Sequence, residues 1–235
     1  MQMSRLPKGK MNKKILIVAA HPDDEVLGCG GTIAHHVKEG DSAHVLFLGD
    51  GVSSRGDSDP KLVTARKESA VKACEVLGAA VVGFEKFPDN MFDTVPLLNI
   101  VRVVESAKKE IDPQIIYTHH GGDLNIDHRI TCQAVLTAFR PQPDEQFSEI
   151  RAFETNSSTE WATSAIMPPF IPDTFVDITQ YLDKLLNAYS CYADEIREEP
   201  HARSLEALKI AALRRGREAG LQAAEAFMTL RRILR

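Results

Sequence analysis

The chain opens its patterned region with Ile15 to Ala20 (ILIVAA), a continuous apolar run bounded by polar clusters, which predicts a strand buried on both faces. Val26 to Lys38 then carries helical periodicity and stops at Gly40. Ala43 to Leu48 reads as a second buried strand, and Asp50 to Pro60 as a polar loop rich in Gly, Ser and Asp. A helix over Lys61 to Leu77, closed by Gly78, leads to a third strand at Ala80 to Phe84. Pro96 to Lys109 predicts a helix, Gln114 to Thr118 a fourth strand, Asp127 to Phe139 a helix and Ala152 to Thr155 a fifth strand. Beyond Phe175 the pattern loosens. It gives a short strand (Thr174 to Asp177), helices at Gln180 to Asp194 and Arg203 to Arg217, and an apolar tail around Ala226 to Leu230.

Strands alternating with helices imply an α/β fold of Rossmann-like type, an open, mostly parallel sheet with helices on both faces and a looser C-terminal extension. The 235 residues suit one large domain. Residues 1–13, with Lys8, Lys10 and Lys13, read as a flexible basic tail, and 14–235 as a single domain. Within it, 14–155 form the Rossmann-like core and 156–235 an extension of loops and helices that completes the site.

Hydrophobic residues make up 43% and charged residues 26%, the balance of a globular enzyme rather than a disordered chain. The net charge of −5 argues against nucleic acid as a partner, because non-specific nucleic-acid binding needs a basic surface. The four cysteines, Cys29, Cys74, Cys132 and Cys191, are scattered; they read as reduced core residues of a cytoplasmic protein. No signal peptide and no transmembrane segment is expected. Assembly into a homo-oligomer is left open.

Directly after the first strand stands His21-Pro22-Asp23-Asp24-Glu25. The carboxyl end of a parallel strand is where such sheets place their sites. An imidazole and a carboxylate three residues apart in a turn can converge on one cation. Capping of the next helix explains Asp23 to Glu25 but not His21. After the fourth strand, His119-His120-Gly121-Gly122-Asp123-Leu124-Asn125-Ile126-Asp127-His128 gathers three imidazoles and two carboxylates. In the common doubly wound order strands one and four are neighbours, so both clusters face one crevice. Two His and one carboxylate around an open position match a catalytic metal site. The residues alone do not distinguish Asp23 from Asp24 as ligand.

His21-Pro22-Asp23-Asp24-Glu25 followed by Leu27-Gly28-Cys29-Gly30-Gly31-Thr32 resembles the opening motif of the PIG-L/LmbE-like N-acetylglucosaminyl deacetylases, and Asp127-His128-Arg129 resembles their second motif. Arg66 and Glu68, Ser157 to Trp161 and Ala224 to Phe227 are similar to further family segments. The resemblance implies one zinc ion, or another divalent metal, held by His21, Asp24 and His128. It implies Asp23 as the general base that takes a proton from the attacking water, and Arg66 as a contact to sugar hydroxyls. Many members carry His-Pro-Asp-His in the second motif, where this chain has Asn125-Ile126-Asp127-His128. Asn125 can donate to an oxyanion but cannot deliver a proton. His119 or His120 stands as a substitute, with Asp23 shuttling the proton to the amine as the other route; His120 also stands as a substrate contact, and the general acid stays open. Asp127 is expected to orient a metal-binding imidazole.

The expected function is therefore hydrolysis of the N-acetyl group of an N-acetylglucosamine-type sugar, free, nucleotide-linked, lipid-linked or glycosidic, with release of acetate. Two alternatives stand beside it: an amidase for a bulkier sugar–thiol conjugate, and a non-catalytic sugar or nucleotide binding module. Asp23 speaks against the last, since binding needs no base. Gly28, Gly30 and Gly31 do not match the dinucleotide fingerprint and read as allowing close helix–sheet approach. The C-terminal arginines, among them Arg214, Arg215 and Arg231, read as a solvated face, with a phosphate site as the alternative. Trp161 reads equally as a sugar-stacking residue or as a pin for its loop.

Overall fold

The computed structural model describes residues 12–55 and 60–235. Residues 1–11 of the expected tail and residues 56–59 of the polar loop lie outside the described residues. Lys13, assigned to the tail, is already tied to the domain, its backbone N–H donating to Asp41 Oδ1 at 2.9 Å.

The chain runs β1 (Lys14–Ala19), α1 (Asp24–Lys38), β2 (Ser42–Gly49), α2 (Pro60–Leu77), β3 (Ala80–Phe87), α3 (Leu97–Ile111), β4 (Ile115–His119), α4 (Ile126–Ala138), β5 (Glu149–Phe153), β6 (Thr174–Asp177), α5 (Leu182–Tyr189), α6 (Leu205–Glu218) and β7 (Ala224–Arg232). One seven-stranded sheet results, in the order β3-β2-β1-β4-β5-β7-β6. The first five strands of that order pair in parallel, and β7 pairs antiparallel with both β5 and β6. β1 lies inside the sheet between β2 and β4, and alternation along it splits the core. Ile15, Ile17 and Ala19 pack in the cluster that includes residues of α1, α2, α5 and α6, whereas Leu16, Val18 and Ala20 pack in the cluster that includes residues of α3 and α4. Burial on both faces is why the strand reads as an unbroken apolar run.

Three expectations need correction. The apolar tail is a nine-residue strand, β7, inserted between β5 and β6. The helix expected from Gln180 to Asp194 is the shorter α5, and β5 starts at Glu149 rather than at Ala152. At β5 and β7 strand pairing outweighed local periodicity.

Helix α1 is kinked where Cys29 leaves helical geometry (φ −157°, ψ 25°). Past the kink, Glu225 of β7 accepts from the backbone N–H groups of Gly31 and Thr32 at 2.8 and 2.7 Å, capping the second segment from across the fold. The glycines do serve close approach. A Cβ on Gly28 would stand 2.2 Å from the Phe153 ring, and one on Gly31 would stand 2.8 Å from Ile178. All four cysteines are free, Cys29, Cys74 and Cys132 being buried. Among the described residues no helix is long and apolar enough to cross a membrane.

Candidate metal centre

β1 and β4 are hydrogen-bonded neighbours, so the loops after them meet as the strand order requires. His21 leaves the end of β1, Asp24 opens α1 and His128 sits in the first turn of α4. One donor atom from each of these three buried residues falls within 4.8 Å of the others. His21 Nδ1 lies 3.5 Å from Asp24 Oδ2, and His128 Nε2 lies 3.4 Å from Asp24 Oδ1. Asp24 Oδ1 is fully buried with no hydrogen-bond partner among the described residues. An orphaned carboxylate oxygen facing an imidazole nitrogen is costly unless a cation occupies the gap. Two imidazoles and one carboxylate are also the donor set of open zinc sites, so these residues fit a divalent metal.

Each imidazole is backed by a carboxylate on its far side. His21 Nε2 donates to Asp127 Oδ2 at 2.9 Å with Asp89 Oδ1 at 3.3 Å, and His128 Nδ1 lies 3.1 Å from Asp123 Oδ1. Such partners set the tautomer and aim the other nitrogen inward. Asp127 also accepts from the backbone of Asn90 and Phe92 at 2.7 and 2.9 Å. Asp89 accepts from the Ser54 hydroxyl and backbone. His21, Asp89 and Asp127 also lie close enough for a second metal group, but their oxygens already hold these donors, and they act as a support for His21. Asp123 takes the hydroxyls of Ser158 and Thr159.

Burial alone would push both imidazoles down. Instead Asp127, Asp24 and Asp89 raise His21 to about 10, and Asp24 and Asp123 raise His128 to about 9. Burial disfavours the charged form of Asp24, but His128 and His119 hold its carboxyl well below the usual range. The pocket is a concentration of negative charge, which favours the charged form of both histidines.

Asp23 is 3% exposed and has left-handed backbone geometry (φ 119°, ψ −26°), strained for a residue with a side chain. Its N–H donates to Glu25 Oε2 at 3.0 Å, and Tyr192 donates its hydroxyl to Glu25 Oε1 at 2.5 Å. Burial pushes Glu25 up to about 8. Arg203 Nη1 and Arg66 Nη1 reach Asp23 Oδ2 at 3.2 and 3.5 Å, and both arginines also pair with the buried Glu195. Burial nevertheless raises the Asp23 pKa against the pull of Arg203 and Arg66.

The other expected residues are less central. His119 is fully buried and stacks on His128 with ring centroids 3.9 Å apart. Its Nε2 accepts from Ala20 N–H at 2.9 Å, so it is a neutral support; burial and His128 lower it to about 4. His120 is 4% exposed and directs Nε2 at the Pro168 carbonyl, 2.9 Å away. Asn125 is half-buried and caps α4, its Oδ1 accepting from Asp127 N–H at 2.8 Å, while its Nδ2 faces Asn90 Oδ1 at 3.3 Å. Arg215, expected on a solvated face, is instead buried in a two-pronged pair with Glu154 at 2.6 and 2.7 Å, and Arg231 donates to the Phe139 carbonyl, so both arginines are engaged in structural contacts.

Sequence reading gave no role to Asp89, Asp123, Tyr192, Glu195 or Arg203. Asp89 follows β3, and the strand-end rule applied there would have flagged it. Glu195 and Arg203 lie in irregular chain with no local signal.

Residues 16–139 match the protein family described as PIG-L, GlcNAc-PI de-N-acetylase. The chain is 30% identical over 207 residues to 4-oxalmesaconate hydratase of Pseudomonas putida, covering 78% of this chain and 74% of that one. It is 24% identical to a probable N-acetyl-alpha-D-glucosaminyl L-malate deacetylase 2 of Bacillus cereus, covering 82% and 90%. The crystal structure of 4-carboxy-2-hydroxymuconate hydratase from Pseudomonas putida superposes with a TM-score of 0.76 at 25% identity, covering 95% of this chain and 98% of that one.

Proposed function

The chain belongs to the PIG-L family, and on that premise we propose that it is a zinc-dependent N-deacetylase that releases acetate from an N-acetylglucosamine-type sugar. The observation that carries this reading is the convergence of His21, Asp24 and His128 around the unpartnered Asp24 Oδ1, with Asp23 as the next residue.

A divalent cation held by His21, Asp24 and His128 would supply Lewis acidity, polarising the amide carbonyl and acidifying water towards a pKa of about 7. Asp23 takes the proton of the attacking water as its oxygen bonds to the carbonyl carbon. Asn125 Nδ2 donates to the developing oxyanion. The protonated Asp23 then returns its proton to the nitrogen as the C–N bond breaks, leaving acetate and the free amine. This route suits the surroundings, because His119 is neutral with Nε2 engaged and His120 faces Pro168. Arg66 lines a cavity of about 190 Å³ with Val52, Leu62, Ser69, Tyr192, Asp194 and Glu195, a mixture of charged acceptors and apolar walls that suits sugar hydroxyls. His120 is kept as the second substrate contact in this reading, its Nδ1 having no hydrogen-bond partner among the described residues, although burial means that it has to be uncovered to reach a sugar. The three buried free cysteines support a reducing, cytoplasmic setting.

Acetate release by zinc-loaded protein, measured over free, nucleotide-linked, lipid-linked and glycosidic N-acetylglucosamine, tests the reading. No release from any of them sinks it. A second reading, hydration of an unsaturated polycarboxylate, is favoured by the 30% identity to a hydratase and by Arg66 and Arg203 beside Asp23. Loss of conjugated absorbance from such a substrate, without acetate chemistry, would select it.

A further inference from the structure

The left-handed backbone of Asp23 (φ 119°, ψ −26°) persists only where its surroundings over-determine it. From the helix side its carbonyl is fixed, accepting from the N–H groups of Val26 and Leu27 at 3.1 and 2.9 Å. Its own N–H is fixed by Glu25 Oε2 at 3.0 Å. Taken alone, that contact would be an ordinary helix-start cap. What stands behind Glu25 is not local. Glu25 Oε1 takes the hydroxyl of Tyr192, 167 residues further along the chain, at 2.5 Å. Both side chains are buried, so losing the hydroxyl would leave a carboxylate oxygen without this donor.

Tyr192 is itself held. Its N–H donates to the Tyr189 carbonyl at 2.9 Å, and the Arg66 guanidinium lies over its ring, 5.8 Å from the centroid. The same turn carries Glu195, whose N–H donates to the Tyr192 carbonyl at 2.9 Å. Glu195 Oε2 accepts from Arg203 at 2.8 Å, and Arg203 reaches Asp23 Oδ2 at 3.2 Å. One turn after α5 therefore acts on Asp23 twice, on its backbone through Glu25 and on its carboxylate through Arg203. Arg66 also approaches Oδ2, at 3.5 Å, and among the described residues no hydrogen bond reaches Oδ1. With Oδ2 held, Oδ1 is the oxygen left to accept a proton.

We propose that Tyr192 is a positioning residue for the base: through Glu25 it fixes the Asp23 backbone so that Oδ1 stays free to take the proton. This role rests on Asp23 being the base of the deacetylase reading above. Misplacing a reacting group by about 1 Å costs on the order of a hundredfold in rate.

Tyr192→Phe keeps the ring and removes the donor. In zinc-loaded protein its turnover per bound metal is expected to fall between about tenfold and a hundredfold, with KM and zinc affinity within about twofold of wild type. Asp23→Asn and the double variant Asp23→Asn/Tyr192→Phe should turn over equally, because the tyrosine then has nothing left to position. Glu25→Gln, whose amide can keep both partners, should retain most turnover. In that background no buried charge is stranded, and adding Tyr192→Phe should still cost turnover, which keeps the test open if the single variant does not fold. Hydrogen exchange at the Asp23 amide of the zinc-loaded protein, followed by NMR, should quicken at least about tenfold in Tyr192→Phe. A merely structural tyrosine would lower the melting temperature and leave the kcat loss, its dependence on Asp23 and the rescue by Glu25→Gln unseen. Near wild-type turnover in folded Tyr192→Phe, or a further loss on top of Asp23→Asn, overturns the positioning role, while acetate release by wild type retains the deacetylase reading. If wild type releases no acetate, the deacetylase reading falls and the exchange rate decides. An unchanged Asp23 amide then overturns the role of Tyr192 as well, and a quickened one keeps Tyr192 as the anchor of Asp23.

Discussion

Asp127 Oδ2 stands 2.9 Å from His21 Nε2 and receives the Asn90 N–H at 2.7 Å as well, so one carboxylate both orients an imidazole and anchors the loop after β3. Asp127→Asn would keep an acceptor but turn an N–H₂ group towards these donors. Metal affinity should fall between about tenfold and a hundredfold, the usual cost of losing a carboxylate behind a ligating histidine. A metal-binding titration that finds wild-type affinity would remove Asp127 from this role.

Asp23→Asn should keep the metal and lose turnover by on the order of a hundredfold or more, because a positioned base contributes at least that much. Rates per metal-loaded site settle the matter, and near wild-type turnover would reduce Asp23 to a strained helix start.

Asn125 carries two separable roles. Asn125→Ala removes the cap and the amide donor together, and should cost about 1 kcal/mol of stability. Asn125→Asp keeps a capping oxygen but has no N–H, so it should melt near wild type while turnover per bound metal drops roughly a hundredfold. Equal per-site rates for Asn125→Asp and wild type would leave only the cap.

Metal uptake should release protons. His21 and His128 are held protonated to about 10 and about 9, and a cation takes the place of those protons. Zinc affinity should therefore rise with pH between about 6 and 9, with close to two protons released near neutrality. Calorimetric titration in buffers of different ionisation enthalpy reads that number directly, and a value near zero contradicts the ligand assignment.

Glu225 supplies a stability test remote from the chemistry. Burial pushes its carboxyl from 4.5 up to about 7, against the pull of the Thr32 and Gly31 donors. A raised folded-state pKa means that the folded protein binds more protons than the unfolded chain between about 4.5 and 7. Its contribution is complete below that window and is lost as pH rises through it. Melting temperatures of wild type and Glu225→Gln, measured from pH 5 to 8, should show the wild type losing ground with rising pH. A constant difference would place the Glu225 pKa near its ordinary value.

Local pattern made much of this protein legible. β1 reads as a buried strand because both of its faces are covered, and the helical periods of α2 to α4 mark their solvent-facing sides. With that alternation, the strand-end rule places His21 and Asp24 opposite the β4 loop, where the structure finds them with His128. The pattern failed at β7, whose Ala224 to Arg232 segment becomes a strand only because β5 and β6 offer edges on either side of it.

Sequence alone thus determined the parallel core and the chemical types at the ends of its strands, since both follow from short-range periodicity and adjacent residues. Only the tertiary structure decided what surrounds those residues. Asp123 is paired with His128 and with Ser158, Asp89 with His21, and Arg203 with both Asp23 and Glu195, across separations of up to 180 residues. Such contacts are set by where irregular segments land once the sheet has closed. A buried charge finds its partner through burial and distance in space, and neither leaves a trace in local sequence spacing.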